Sequence, residues 1–401
     1  GFLVYEHGAA AMGMAGAFVG LANDVTAIFH NPAGIAWLEG TQISAGATLI
    51  YPNTTLALPN WPDPNYQSID LEEQMFYPPT FYISHKFSDK IVAGFGVFAP
   101  YGLGTEWPDP ENFPLRYIAT RADMKTFIFN PTIAYKLTDN LSVGVGVSYI
   151  YSILELDLTY LLDLTAIPPL GVYDVPVAAE DTTGSAWAVN AGALYKGEKF
   201  SLGFNWRGGF TIDYDGDLDL DMSNVPIVLP ENGTVVAPFS FPHIFGIGAA
   251  FNLSDQFILT ADVHYVLWSA FDVIEVDADV PGLPIPLDFP PIDENFEDSF
   301  LFRAGLQYML NDRFALRAGF LYDETPQPVD SMDPMLPDAN RWALTAGFGY
   351  NTGKFTVDLA YQYEPFQDRE SPNRDIYPAD LGEGTYSTTA HLFGISFIFK
   401  F

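Results

Sequence analysis

The chain has 401 residues, no cysteine, a formal net charge of −33 and a pI of about 4.1. The missing cysteines exclude a disulfide scaffold and a thiolate metal centre. The acidity excludes nucleic acid as a partner, because phosphate backbones are held by basic patches. No run approaches the roughly 20 apolar residues of a membrane helix, so a membrane crossing would need a closed barrel, which pairs every backbone group internally.

The chain begins at Gly1 with neither Met nor a basic-then-apolar leader. Any secretory signal is therefore expected to have been removed. Residues 1–40 are rich in small residues, with glycines at 1, 8, 13, 16, 20, 34 and 40. Each glycine costs a helix about 1 kcal/mol, so a long helix is not expected. Asn31-Pro32 is a turn signal. The segment reads as a compact piece that packs inside something else.

From Thr41 onward the chain alternates. Leu141, Val143, Val145, Val147 and Tyr149 alternate with Ser142, Gly144, Gly146 and Ser148. Phe200, Leu202, Phe204 and Trp206 alternate with Ser201, Gly203, Asn205 and Arg207. Phe355, Val357, Leu359 and Tyr361 repeat the pattern. Successive strand side chains point to opposite faces. Each strand thus has a bulky apolar face, often ending in an aromatic, and a small or polar one. That is the pattern of an outer-membrane barrel, apolar outside and polar inside.

Short polar turns lie at Ser88-Asp89, Thr138-Asp139-Asn140, Lys196-Gly197-Glu198, Ser254-Asp255, Asn311-Asp312 and Asn351-Thr352-Gly353. Long connections lie at about 52–75, 100–122, 155–183, 212–239, 271–298, 323–340 and 364–385. Six turns and seven loops make thirteen connections, hence fourteen strands. Short turns are periplasmic and long loops extracellular, so residues 1–40 belong at the periplasmic mouth or in the lumen.

The third strand is irregular. Ile91, Ala93, Phe95 and Val97 alternate cleanly and then meet Ala99-Pro100-Tyr101-Gly102-Leu103-Gly104. Proline cannot donate to a ladder and glycine weakens it. Either the wall bends or opens here, or the strand ends and a loop begins. The last strand ends on Phe393, Ile395, Phe397, Phe399 and Phe401, similar to the terminal signal of outer-membrane barrels.

Together these features resemble the FadL/TodX family of outer-membrane transporters for hydrophobic compounds. The likeness is carried by Gly-Phe-Leu-Val-Tyr-Glu at the start, Gly13-Met14-Ala15-Gly16-Ala17, Asn23-Asp24, Asn31-Pro32-Ala33-Gly34, and the run from Ala99 through Trp107. The resemblance implies an all-β fold: a 14-stranded antiparallel transmembrane barrel, residues 41–401, with an N-terminal hatch, residues 1–40, inside the lumen. It implies ligand capture at extracellular loops, a lumenal site, and sideways release at Ala99, Pro100, Tyr101, Gly102 and Gly104. It also implies a monomer.

Passage of an apolar molecule needs apolar surface rather than a reactive group. Three loops supply it, with Leu161, Leu162, Leu164, Ile167 and Leu170, then Val225, Ile227 and Leu229, then Leu283 and Ile285. Acidic runs flank them. Asp213, Asp215, Asp217 and Asp219 would share one strand face, either as a solvated ladder or as a Ca²⁺ site in contact with lipopolysaccharide. Alternation turns Arg207, Arg303, Arg317 and Arg341 into the lumen. There they would hold a ligand carboxylate or pair with Asp262, Asp358 or Glu364. The six histidines share no metal-ligand spacing.

Passive uptake of hydrophobic small molecules, without a cofactor, is the function expected. A general porin and an outer-membrane lipid hydrolase are the rivals. The small-residue segment is expected to block the straight path, with residues 31–34 near the gap at residues 99–104.

Overall fold

The structure, a computed structural model, describes residues 1–371 and 384–401. The strands counted from the turns form one closed antiparallel wall. They are β1 (Thr41–Ala57), β2 (Pro79–Lys86), β3 (Ile91–Glu106), β4 (Arg121–Lys136), β5 (Leu141–Asp163) and β6 (Val172–Lys196). β7 runs as two pieces, Phe200–Arg207 and Phe210–Leu220, and β8 as Asn232–Phe241 and Ile244–Asn252. β9 (Phe257–Val266), β10 (Ser299–Met309), β11 (Phe314–Asp323), β12 (Arg341–Asn351), β13 (Phe355–Pro365) and β14 (Gly384–Lys400) complete it. β14 pairs β1 from Gln42↔Lys400 to Ala57↔Thr385 and closes the barrel. Part of the last long connection, residues 372–383, lies outside the described residues.

The outer face is apolar by alternation. Val145, Val147, Leu202, Phe204, Ile247, Leu316, Phe348 and Phe397 are all exposed. Above this band the strands keep alternating but exchange the chemistry of their faces. In β7 the pair Gly208-Gly209 breaks the ladder. Before it Phe204 points out and Asn205 in; after it Ile212 and Tyr214 point in, and Asp213 and Asp215 point out. Pro242-His243 does the same to β8, and the two breaks face each other, Gly209 N donating to His243 Nδ1 at 2.8 Å. A ladder defect of this kind flips every later side chain to the other face. The upper wall is therefore water-facing and acidic outside, and apolar inside.

This inversion explains why much of the sequence expected to form loops is strand. β5 and β6 continue as a hairpin to Asp163 and Val172, and β7 and β8 pair as far as Asp219↔Asn232.

Residues 1–40 fill the lower lumen. They contain two single-turn helices, Ala9–Met12 and Ala27–His30, and a 3₁₀ turn at Pro32–Trp37. Asn31 caps that turn, its side chain accepting from Ala33 N, with Pro32 at the first helical position. So little regular structure leaves many backbone groups without partners, and buried ones must be satisfied. The small polar face of the wall supplies them. Ser396 Oγ accepts from Ala9 N, Thr345 Oγ1 donates to Gly13 O, and Ser142 Oγ donates to Ala33 O, all at 2.8–3.0 Å. Asn205 donates to His30 O at 2.6 Å. Inward glycines allow the approach: a β-carbon on Gly144 would collide with the Pro32 carbonyl. Gly40, at φ 62°, turns the segment into β1.

Candidate functional site: an extracellular cavity, a lumenal aromatic cage and a gap in the wall

At the extracellular end lies a cavity of about 340 Å³. Its apolar wall is built from inward positions of the strand extensions, chiefly Leu156, Leu158, Val177, Leu218 and Val235, with Phe289 and Ile292 from the loop after β9. Its charged lining residues are all carboxylates, Asp293, Asp330 and Asp333.

None of the ten apolar loop residues named above lines this cavity, although the loop of Leu283 and Ile285 reaches it through Phe289. Leu162, Leu164 and Val225 are buried in a neighbouring apolar cluster, with Leu170, Leu229, Leu283 and Ile285 packed against it. Leu161 is partly buried. Ile167 and Ile227 are exposed at 36% and 39%. These residues roof the mouth; the cavity lies beneath, where the period-two pattern of the strands continues.

In the mid-lumen the ring of Phe2 sits in a cage. It packs edge-on to Trp268 at 4.9 Å, Phe271 at 5.2 Å, Phe241 at 5.8 Å and Tyr101 at 6.2 Å. Phe210 stacks on Phe241 at 4.6 Å. The sequence signal for the cage was the run of bulky residues left facing inward once the breaks in β7 and β8 reverse the alternation. A second cavity, of about 170 Å³, lies beside this arm, lined by Phe2, Leu3, Val4, Ile50, Pro52 and Gly102 among others.

The third strand does not stop at Pro100. It continues to Glu106 and pairs β4 throughout, with a bulge between Phe98 and Tyr101. The break lies in its other edge. β2 pairs β3 only from Lys86↔Val92 to Phe81↔Val97, because β2 begins at Pro78-Pro79, where two donors are missing. Beyond Val97 the arm of the N-terminal segment takes over from inside. Val4 N donates to Pro100 O at 2.7 Å, and Gly102 N donates to Phe2 O at 3.2 Å. Residues 2–4 thus reach the gap. The expectation that residues 31–34 would do so is corrected: Asn31 donates to Ala193 O, and Pro32 and Ala33 pack on Gly144, on the wall of β5 and β6. The signal for the right contact was the apolar arm itself, Phe2-Leu3-Val4.

The four lumenal arginines face inward and differ in partners. Arg317 pairs Asp358 at 2.6 Å and Gln307 at 2.8 Å. Arg341 pairs Asp323, Asp338 and Glu364. Arg303 donates to Ala15 O at 2.8 Å and lies over the Tyr5 ring. Arg207 is 7% exposed, donates to Phe29 O at 2.9 Å, and has no carboxylate partner among the described residues. Its other terminal nitrogen has no hydrogen bond.

His7 and His30 lie in the same buried region, His30 Nε2 donating to His7 O at 2.8 Å. Burial holds His7 well below the ordinary histidine range and His30 down to about 3, and the nearby Arg207 guanidinium adds to both shifts.

Asp213, Asp215, Asp217 and Asp219 all stand exposed on the outer face of upper β7. Among the described residues, no group of three or more acidic or histidine side chains is arranged to hold a metal ion.

The family model for "Outer membrane protein transport protein (OMPP1/FadL/TodX)" matches residues 1–401. The chain belongs to this family. It is a bacterial outer-membrane transport protein and not an enzyme. Among FadL/TodX relatives, the long-chain fatty acid transport protein of Escherichia coli O6:H1 is 25% identical, over 90% of this chain and 86% of its own length. Outer membrane protein P1 of Haemophilus influenzae is 21% identical over 72% and 65%. Two solved structures share the fold: a Pseudomonas aeruginosa FadL homologue, at 19% identity, full coverage of both chains and TM-score 0.84, and the P. putida toluene transporter TodX, at 17%, 99% of both chains and 0.79.

Proposed function

We propose that this FadL/TodX protein is a passive carrier of hydrophobic small molecules, either hydrocarbons or fatty acid-like chains. Its relatives, a long-chain fatty acid transport protein and a toluene transporter of the same fold, support that substrate range. The ligand is captured in the extracellular cavity, with Leu161, Leu162, Leu164, Ile167, Leu170, Val225, Ile227, Leu229, Leu283 and Ile285 as its lid. It then takes the place of Phe2 in the aromatic cage. It leaves sideways between β1 and β3, past Ala99, Pro100, Tyr101, Gly102 and Gly104, into the bilayer. Residues 1–40 act as the hatch that closes the straight path, held by Asn31, Pro32, Ala33 and Gly34, and residues 41–401 are the barrel. The chain works as a monomer, its wall closed by β14 against β1 and its lower lumen filled by its own residues 1–40.

The observation that carries this reading is the edge of β3 beyond Val97, which β2 leaves and the N-terminal arm covers from inside, beside a lumenal cavity. A β-carbon on Gly102 would meet only Met124 O, at 3.6 Å, so there is room for a side chain where Gly102 lines the cavity. Gly102→Leu should fill it without disturbing the fold. Uptake of 1-dodecanol by cells expressing this variant should fall at least about tenfold, while binding at the mouth is unchanged. Unchanged uptake would remove lateral release.

For a fatty acid, Arg207 and Arg303 are the arginines with hydrogen-bonding capacity to spare: each gives one bond to a backbone carbonyl and keeps a buried nitrogen without a hydrogen bond, Nη1 of Arg207 and Nε of Arg303. Either would hold a carboxylate by charge-assisted hydrogen bonds, whereas Arg317 and Arg341 are already engaged by carboxylates. A general porin is opposed by the filled lower lumen and by the aromatic rings above it. The outward ladder of Asp213, Asp215, Asp217 and Asp219 meets the lipopolysaccharide layer and its Ca²⁺ as a diffuse acidic belt, not as a chelating site.

A further inference from the structure

The gap beside β3 is bridged by a strap, residues 71–78, that is tied to the wall almost entirely on one side. Towards β1 it is well held. Leu71 N donates to Thr54 O at 2.9 Å, Phe76 and Ile50 exchange both backbone bonds at 2.8 and 3.0 Å, and Thr48 N donates to Pro78 O at 3.3 Å. Towards β3 its backbone makes one bond, at the very top, Glu72 N donating to Glu106 O at 2.9 Å. Between that bond and Phe81↔Val97, no backbone hydrogen bond joins strap and strand among the described residues. A slit runs there.

At the top of the slit Gln74 Nε2 also donates to Glu106 Oε2 at 3.0 Å; below it an apolar side chain spans the slit. The strap alternates like a strand: Met75 and Tyr77 are exposed at 45% and 65%, and Phe76 between them is partly buried. The Phe76 ring lies over Gly104 of β3, so closely that a β-carbon on Gly104 would collide with its tip. Its backbone partner Ile50 lines the lumenal cavity, as does Gly102, two residues along β3 from Gly104. Phe76 therefore stands between that cavity and the outside of the barrel, tethered on the β1 side and resting on the smallest residue on the β3 side.

Such a ring can swing aside without breaking a hydrogen bond, because its contact with β3 is apolar and its backbone bonds all go to β1. Side-chain rotation of this kind is fast, and hinge motion of a packed wall is slow. A ring in this position limits the girth of what passes, not its length or polarity.

We propose that Phe76 is the gating and size-selecting side chain of the lateral exit. This rests on the lateral-release reading above and adds the residue that sets its width. Two lipophilic fluorophores of different girth, pyrene (wide) and 1,6-diphenylhexatriene (rod-like), probe it through their transfer into the outer membrane of cells expressing the full chain.

Phe76→Ala should raise the pyrene rate at least about fivefold and the diphenylhexatriene rate less than about twofold. Phe76→Trp should slow both, pyrene more. Phe76→Leu, which keeps an apolar contact on Gly104, should fall between wild type and Phe76→Ala and serves if the alanine variant fails to assemble. Equal pyrene rates in wild type, Phe76→Leu and Phe76→Ala, with Gly102→Leu still blocking both dyes, would overturn the gate and leave lateral release standing. Loss of the Gly102→Leu block would instead remove lateral release itself.

Discussion

Val4 donates its amide to the Pro100 carbonyl at 2.7 Å, so the arm of the N-terminal segment pairs with the kinked third strand from inside the barrel. β3 thus exchanges one neighbour for another at its bulge: β2 below, the arm above. Moving the arm would free the Phe2 cage and the inner side of the gap together.

The arm is held chiefly by Phe2. Phe2→Ala removes a ring packed against four aromatics, a loss of about 3–5 kcal/mol in a closed core. The Val4 and Gly102 amides should lose most of their hydrogen-exchange protection, while amides of β10–β13 keep theirs. Protection unchanged at Val4 would show that the arm's other contacts, its backbone pairing and the Arg341 bond to Gly1 O, hold it without the ring.

The rest of the segment is held by polar contacts within it and to the wall. Asn31 donates to Val19 O and Ala193 O and accepts from Ala33 N. Asn31→Ala leaves these groups unpaired, at about 1–3 kcal/mol each. In planar bilayers the variant should show intermittent large openings that wild type lacks. A silent variant would mean that other contacts, such as Ser142 to Ala33, suffice.

Acid should loosen the same segment. His7 and His30 are buried neutral, facing Arg207, Arg303, Tyr5, Phe29 and His264, and their values are lowered from 6.5. A displaced segment binds more protons below that value. Docking is thus full above about pH 6.5 and weakens as pH falls below it, by up to about 1.4 kcal/mol per unit per histidine. Exchange of amides in residues 9–37, corrected for intrinsic rate, should be faster at pH 5.5 than at pH 7.5. His7→Phe should reduce the difference.

The mouth should discriminate by charge. With only carboxylates as its charged lining, it should bind 1-dodecanol about 3–10 times more tightly than dodecanoate at low salt. Screening should close that ratio at 0.5 M salt, where the Debye length is a few ångströms. Asp293→Asn with Asp330→Asn should close it too. Equal affinities at low salt would mean that the charged end stays in bulk water.

Much of this was readable from the residues. Polar turns such as Ser254-Asp255 and the inward Gly, Ser and Thr positions yield fourteen strands and a lumen able to hold residues 1–40. What escaped was the reversal at Gly208-Gly209 and Pro242-His243. A reading that carries the alternation straight through makes Tyr214 and Phe241 face lipid and treats residues 212–239 as loop. The ladder of aspartates read as either a solvated face or a Ca²⁺ site; with the faces exchanged, it lies on the exposed side of a strand. Alternation put Asp358 and Glu364 in the lumen as partners for the arginines, and Arg317 takes the first and Arg341 the second; which arginine takes which carboxylate depends on contacts across strands distant in sequence, which periodicity cannot supply. The three apolar residues of the arm mark it as a buried contact, but they carry no period, so they do not say which strand they meet.

Release through the wall is the central claim, and it can be timed. The protein, inserted in one orientation in vesicles that enclose serum albumin, is given pyrene from outside. Bilayer fluorescence should rise before the albumin-bound signal, and Gly102→Leu should slow the bilayer signal at least about tenfold while binding at the mouth is unchanged. An albumin signal that rises first, at a rate Gly102→Leu does not alter, would contradict the account.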